Sequence, residues 1–455
     1  MALWSGRFAK KMTAKFSEMN KSLPVDIRLL PYEIKQNAAY AKRLADVGVI
    51  DKKELRNIET GLRQILSEYE NGEYFPLPDE EDVHSLVEHR LTEIIGDAGK
   101  KIHTGRSRNE EIATEIKMFL LDNIGLLKTN IRSLIKAILG AADSNKEIIM
   151  PGFTHMQHAQ PVLFAHYLCS FAYTLKDDEE RLERILQGSL ATCPMGSGAI
   201  GGSAFPIDRE KLASDLGFKT PTANSIQAVS QRDETLETAS ALALLMIHLS
   251  RYAEDFIIWS SQEFGYIELD ESVSTGSSMM PQKKNPDSLE LIRGKSARVI
   301  GNMQSLFTLL KGTPLTYSRD LQEDKKPIFD IIDETNLCLT VFKEIIETLK
   351  INGEKMSSSL NSLIQATDMA DDLTKKGLPF REAHGIIGKL VRDALATGRR
   401  LHELTLQELK KASPLFDESS LDTLSKESSI KAREILGGTG KKSVERQIKE
   451  LSAWL

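Results

Sequence analysis

The chain has 455 residues and carries 59 Lys and Arg against 65 Asp and Glu, a formal charge of −6. A length of this order leads one to expect about three domains, and 41% hydrophobic with 27% charged residues is ordinary globular usage that excludes disordered, collagen-like and low-complexity classes. No long block has one sign, so neither nucleic acid nor an anionic membrane is an expected partner, although a local basic pocket stays open. The longest apolar run, Ala241 to Ile247, falls far short of the roughly 20 residues a membrane helix needs. The opening MALWSGRFAKKM lacks the apolar core of a secretion signal. Cys169, Cys193 and Cys338 are odd in number and far apart, so they form no disulfide framework and no CxxC metal site. A cytoplasmic location is expected.

Short helical patterns cover Ile34–Val47 and Lys52–Tyr69, and the loop NGEYFPLPDEED follows. Prolines then space out. In the Pro-free stretch after Pro78, Ile112, Ile116, Leu120, Ile124, Leu127, Ile131, Leu134 and Ile138 recur at three- and four-residue steps. That marks one face of a helix, roughly 50 Å long at its rise per residue. Similar patterns over Val162–Leu190, Thr235–Phe264, Asp287–Leu310 and Ile328–Leu349 predict an extended bundle. Because Ala241–Ile247 is apolar all round, its helix should be covered on every side. A slender bundle has little room for that, so self-association is expected. No alternating strand series stands out, and the fold class read from the sequence is all-α. The expected partition is an N-terminal helical domain over 1–105, a central bundle over 106–357 and a small helical domain over 358–455.

Three motifs are set aside. Gly196-Ser-Gly-Ala-Ile-Gly201 fits GxGxxG, but a helical pattern precedes it and Ser203-Ala204-Phe205-Pro206 follows. A dinucleotide fingerprint needs a strand before and a helix after, so a turn between helices is the better reading. Gly437 to Ser443 fails the P-loop spacing and reads as a helix end followed by a new helix. His155-x-x-His158 has metal-like spacing without a supporting HExxH or carboxylate signature.

Four polar segments lie where loops meet long helices, the usual place for function. Glu81-Asp82-Val83-His84 reads as an acidic helix start favoured by the dipole. His103-Thr-Gly-Arg-Ser-Arg-Asn109 joins two guanidinium groups, two hydroxyls and an amide ahead of a helix. It is either a solvated, serine-capped turn or an anion site of the kind helix N-termini and Arg form. Met150 to Pro161 brackets Thr154, His155, Gln157 and Gln160 between prolines. His155 is either a satisfied interhelical histidine or a proton carrier near neutral pH. Gly276-Ser-Ser-Met-Met-Pro-Gln-Lys-Lys-Asn-Pro-Asp287 combines a mobile Gly/Ser loop with two lysines and an amide able to hold negative charge.

GSSMMPQKKNPD resembles the signature of the fumarase/aspartase superfamily. HTGRSRN, MPGFTHMQHAQP, TYSRDLQEDK and the tail from Ala366 to His384 narrow the resemblance to the argininosuccinate lyase family along nearly the whole chain. The resemblance implies reversible cleavage of argininosuccinate into arginine and fumarate, a step of arginine biosynthesis, with no metal or redox cofactor. It implies three all-α domains whose five-helix bundles form a twenty-helix core in a homotetramer, with active sites shared between chains. By the motif, Ser277 is the acid/base serine, His155 its counterpart, and Lys283 with Asn285 holds the carboxylate beside the carbon that loses its proton. Ser107, Asn109 and Thr154 would bind the fumarate half, and Tyr317, Gln322 and Lys325 the arginine or succinyl part. Ser22 and Asp26 fall in the family's N-terminal binding stretch, Asp82 and His84 line the same cleft, and Arg108 and Glu290 join the substrate-binding set.

The chain departs from the usual family pattern at Glu110-Glu111, His158, Gln231, Ser318 and Lys326. None of these is assigned to proton transfer. Two other readings remain at this level: a sister lyase acting on another fumaryl adduct, and a non-catalytic structural protein on the same bundle. Intact Ser277, His155 and Lys283 weigh against the second.

Overall fold

The computed structural model describes residues 10–73 and 80–455. The middle of the loop expected over 71–82 therefore lies outside the described residues, as does most of the N-terminal stretch read above. The described residues are mostly helical, with short two-stranded ladders among them. Four helices lead the argument: α1 (Leu30–Asp46), α2 (Lys52–Glu70), α3 (Val83–Ile95) and the 37-residue α4 (Arg108–Ser144). After α4 come α5 (Phe164–Gln187), α6 (Asp233–Ser260), α7 (Asp287–Lys311) and α8 (Lys325–Thr348). The apolar period thus located all five long helices to within a few residues. Pro327 falls in the first turn of α8, where a missing N–H costs nothing.

Local signals explain the helix starts. Asp51 caps α2 in a reciprocal box with Glu54, and Asp82 caps α3 in the same way with Ser85. Each satisfies backbone donors that the first turn leaves open.

The chain forms two compact units. Unit 1 holds residues 1–129, 178–246 and 295–336; unit 2 holds 130–177, 247–294 and 337–455. Each long helix contributes residues to both. The core of unit 1 packs Leu30, Tyr40, Leu44, Ile58, Leu62, Val83, Leu86 and Leu91, all nearly inaccessible. On the surface of the same unit Arg28 grips Asp333 through two hydrogen bonds of 2.7 and 2.9 Å. In unit 2, Phe171 stacks on Tyr252 with ring centroids 3.9 Å apart, and Tyr167 donates to Asp255 at 2.9 Å. A second unit 2 core gathers Met369, Leu373, Ile387, Leu401, Leu409 and Phe416 from the C-terminal helices. Gly440 stands at the N-cap of the last helix, Lys441–Trp454, as the turn reading of that stretch expected.

One expectation needs correction. The polar segment from Met150 to Pro161, read as a loop beside long helices, is a β-hairpin, β1 (Ile149–Thr154) with β2 (Gln157–Leu163), in which Pro151 pairs with Pro161 and a bulge follows Gly152. The strands form an isolated ribbon, so prolines do no harm to a wider ladder. The two-residue turn is His155-Met156, at φ 54° and 57°. Left-handed turns of this kind ordinarily advertise themselves with Asn-Gly, and that signal is missing here.

Candidate active site

Loop 102–107 and the start of α4 are fixed first. Gly105 has φ 74°, and a Cβ there would lie 2.7 Å from Phe205 Cδ2 and 2.8 Å from Ser203 Oγ. Only glycine fits both the backbone angle and the space. Gly105→Ala should therefore destabilise the protein by about 1–3 kcal/mol and loosen the two arginines that follow. A thermal melt unchanged from wild type would refute this.

Those arginines part company. Arg106 runs inward, its guanidinium 4.9 Å from the Tyr40 ring centre, 3.0 Å from Glu111 Oε1, and donating to Asn37 Oδ1 at 2.6 Å. Arg108 donates to Asp82 Oδ2 at 2.5 Å, while Asp82 Oδ1 caps α3 through the Ser85 N–H. Ser107 Oγ accepts from the Asn109 N–H at 3.3 Å, as a helix-capping serine does.

A cavity of about 230 Å³ opens within unit 1. Ser22, Asp26, Asp82, His84, Arg108, Asn109, Tyr317, Gln322 and Lys325 line it, joined by Ile112 and Arg319. Four separate stretches of sequence thus converge. Asp26 accepts from Ser22 Oγ at 2.5 Å; burial pushes its carboxyl up, against the pull of that bond. Thr316, at φ 79°, places Tyr317 and is pinned by its N–H to Ser230 Oγ at 2.7 Å. Arg319 pairs with Glu81.

Lys325 closes one end of the cavity. Lys325 is 2% exposed, and its Nζ lies 3.2 Å from Asp324 Oδ1. The other oxygen of Asp324 accepts from Nε of Arg232, itself 1% exposed, at 2.9 Å. Asp26 also acts on Lys325, and the buried Glu234 on Arg232, so these charges are offset; Arg232 Nη2 has no hydrogen-bond partner among the described residues. Of the two cations Lys325 reaches the cavity wall, where an ammonium group can meet a carboxylate.

The other six candidates belong to unit 2. Thr154 and His155 sit at the exposed hairpin tip. Ser277 opens a loop closed by Thr275–Asn285 and Gly276–Lys284 pairing, and its Oγ accepts from the N–H groups of Met279 and Met280 at 3.3 and 3.1 Å. Lys283 is exposed, Asn285 Nδ2 lies 3.5 Å from Thr275 Oγ1, and Glu290 is exposed in the first turn of α7.

The sequence reading missed Glu33, Arg106, Glu111, Glu115, Arg232, Arg319 and Asp324. Most are buried charges, invisible to an apolar period. The motif itself could have pointed to Arg106, and the departure Glu110-Glu111 to the others on α4. Glu110 accepts from the N–H of Gly198 at 2.8 Å and of Ser107 at 3.1 Å, and burial pushes it up to about 7.

Family models match the chain twice: a lyase model over residues 6–301 and an argininosuccinate lyase C-terminal model over 363–431. The argininosuccinate lyase of Pelotomaculum thermopropionicum is 44% identical over 449 residues, 98% of this chain and 97% of the relative. That of Caldanaerobacter subterraneus is 45% identical over 438 residues, covering 96% and 99%. The chain belongs to the argininosuccinate lyase family. Among solved structures, an EDDS lyase in complex with formate is 27% identical with a TM-score of 0.84, over 94% of this chain and 86% of that one. The 3-carboxy-cis,cis-muconate lactonizing enzyme of Pseudomonas putida, 20% identical with a TM-score of 0.75 over 94% and 96%, shares the fold.

Proposed function

We propose that the chain is an argininosuccinate lyase, which cleaves L-argininosuccinate reversibly to L-arginine and fumarate in arginine biosynthesis. The convergence of nine of the family-matched binding residues on one cavity, Arg108 and Lys325 among them, carries this reading. Removing a proton beside a carboxylate builds a dianionic aci-carboxylate, and fixed cations and N–H donors aimed at that charge supply most of the catalysis. Arg108, Asn109 and Lys325 offer such groups in the cavity, Lys283 and Asn285 on the Ser277 loop. Ser277 and His155 form the acid/base pair, with a modest preference for Ser277 taking the carbon proton. Ser107 and Thr154 bind the fumarate half, Tyr317 and Gln322 the remainder, and Glu290 completes the set.

In this reading the enzyme is a cytoplasmic homotetramer whose sites draw on several chains. Leu126, Ile247, Leu291, Phe307 and Leu337, all on the long helices, are 39–60% exposed in the single chain, apolar side chains that neighbouring subunits would cover. Ile247 closes the run expected to be covered on every side. Among the described residues no helix is long and apolar enough to cross a membrane. The partition at 1–105, 106–357 and 358–455 is kept; the separate C-terminal match beginning at 363 supports its second boundary.

No cofactor is required. Protein dialysed against EDTA should release fumarate, followed by its ultraviolet absorbance, from argininosuccinate but not from adenylosuccinate, malate or aspartate. No turnover of argininosuccinate would overturn the reading. Loss of activity on dialysis, restored by zinc or magnesium, would overturn its metal independence.

A further inference from the structure

Next to the cavity lies a buried cluster with no counterpart in the elimination as described. His84 lines the cavity and is 5% exposed; Glu33 on α1 and Glu111 and Glu115 on α4 are 3% or less. Glu33 gathers donors. Its Oε1 accepts from Asn37 Nδ2 at 2.7 Å, and its Oε2 accepts from Gln36 Nε2 at 2.5 Å and lies 3.1 Å from His84 Nδ1. Glu115 and Glu111 approach the same imidazole nitrogen at 3.6 and 3.7 Å.

Glu33, His84 and Glu115 have the spacing of metal ligands, but the Gln36 amide donates to both carboxylates, at 2.5 and 2.8 Å. A donor amide stands where a cation would need bare oxygens. Charge balance gives a different answer. Arg106 and an imidazolium at His84 offset Glu33 and Glu111 if Glu115 is protonated. Burial, then Glu33, pushes Glu115 well up, whereas His84 holds Glu33 low against burial. Arg106 likewise holds Glu111 low.

We propose that Glu33 is a positioning residue for the elimination: bonded to Nδ1 of His84, it keeps that ring an imidazolium at neutral pH, facing the substrate carboxylates in the cavity. The inference rests on the cavity being the substrate site. Its partners make it specific to Glu33. Asp82, on His84's own helix, is engaged by Arg108, and Asp26, on the neighbouring turn, by Ser22; Glu111 is paired with Arg106, and Glu115, pushed up by burial and by Glu33, is hydrogen-bonded to Glu33 and stands farther from Nδ1 than Glu33 does. Burial by itself would lower the imidazole; Glu33, then Asp82 and Glu111, outweigh it and push His84 up to about 9. Since this lies above the ordinary value of about 6.5, the charge is complete at neutral pH and is lost only as pH rises through about 9.

The test uses protein labelled with 15N at histidine, the His84 signals being those absent from His84→Asn. Wild-type His84 should show imidazolium shifts from about pH 6 to about pH 8. In Glu33→Gln the ring should turn neutral within that range, and KM for argininosuccinate should rise about tenfold or more at the upper end. The rise should shrink toward pH 6, with kcat moved less. A merely structural loss would raise KM equally at all pH. Glu115→Gln, which leaves Glu33 on Nδ1, should leave His84 charged. A neutral His84 in the wild type at pH near 7.5 overturns the proposal, as does a Glu115→Gln variant that discharges the ring. If Glu33→Gln does not fold, those two measurements decide. Failure of the wild type to turn over argininosuccinate would instead remove the functional reading, whatever the charge on His84.

Discussion

Ser277→Ala is expected to lower kcat for argininosuccinate by at least about 10²-fold, within the 10²–10⁴-fold range of a proton-transfer group, while Kd changes about tenfold or less. A free serine hydroxyl is a poor base. Here Oγ already accepts from the N–H groups of Met279 and Met280, donors that would also stabilise an alkoxide, and Lys283 lies on the same loop. Closing that loop over substrate would expel water and strengthen both effects. The melting temperature should stay near that of wild type, because residues 278–284 are exposed and contribute little to a core. Calorimetry on the inactive variant gives Kd. A variant keeping more than about a tenth of kcat, less loss than any acid or base is expected to show, would remove Ser277 from the reaction.

The second large effect is a recovery. Ser277→Ala and His155→Asn should each be nearly inactive alone. If Ser277 and His155 of one site come from different chains, co-assembled subunits create some sites with both native groups, and activity returns to a sizeable fraction of wild type. Hetero-oligomers verified by mass spectrometry that regain nothing would show each site to be built within one chain.

How much of this could be read from sequence follows the physics of each element. Helix α4 was legible because its apolar residues repeat with the helical period, and HTGRSRN because so dense a run of polar and charged groups ahead of a helix stands out. The hairpin at 149–163 was not, since its turn lacks the glycine or asparagine that marks such turns. Glu33, Gln36 and Asn37 on α1 look in sequence like a solvated stripe, yet all three are buried. What makes that stripe interior is Glu115 and Arg106, contributed by distant segments. Arg106 and Arg108 are two residues apart and chemically identical, and only the fold sends one inward and the other to the cavity.

The left-handed pair at His155 and Met156 has a consequence for anyone who would make this protein sturdier. Holding a side-chain-bearing residue in that region costs on the order of 1 kcal/mol, and Asn-Gly would form the same two-residue turn with less strain. A search guided by thermostability alone would therefore rewrite this tip early and delete the imidazole with it. If His155 carries a proton as proposed, the tip is where durability and turnover pull apart, and thermal melting of a His155→Asn, Met156→Gly variant set beside its activity would show both sides of that opposition.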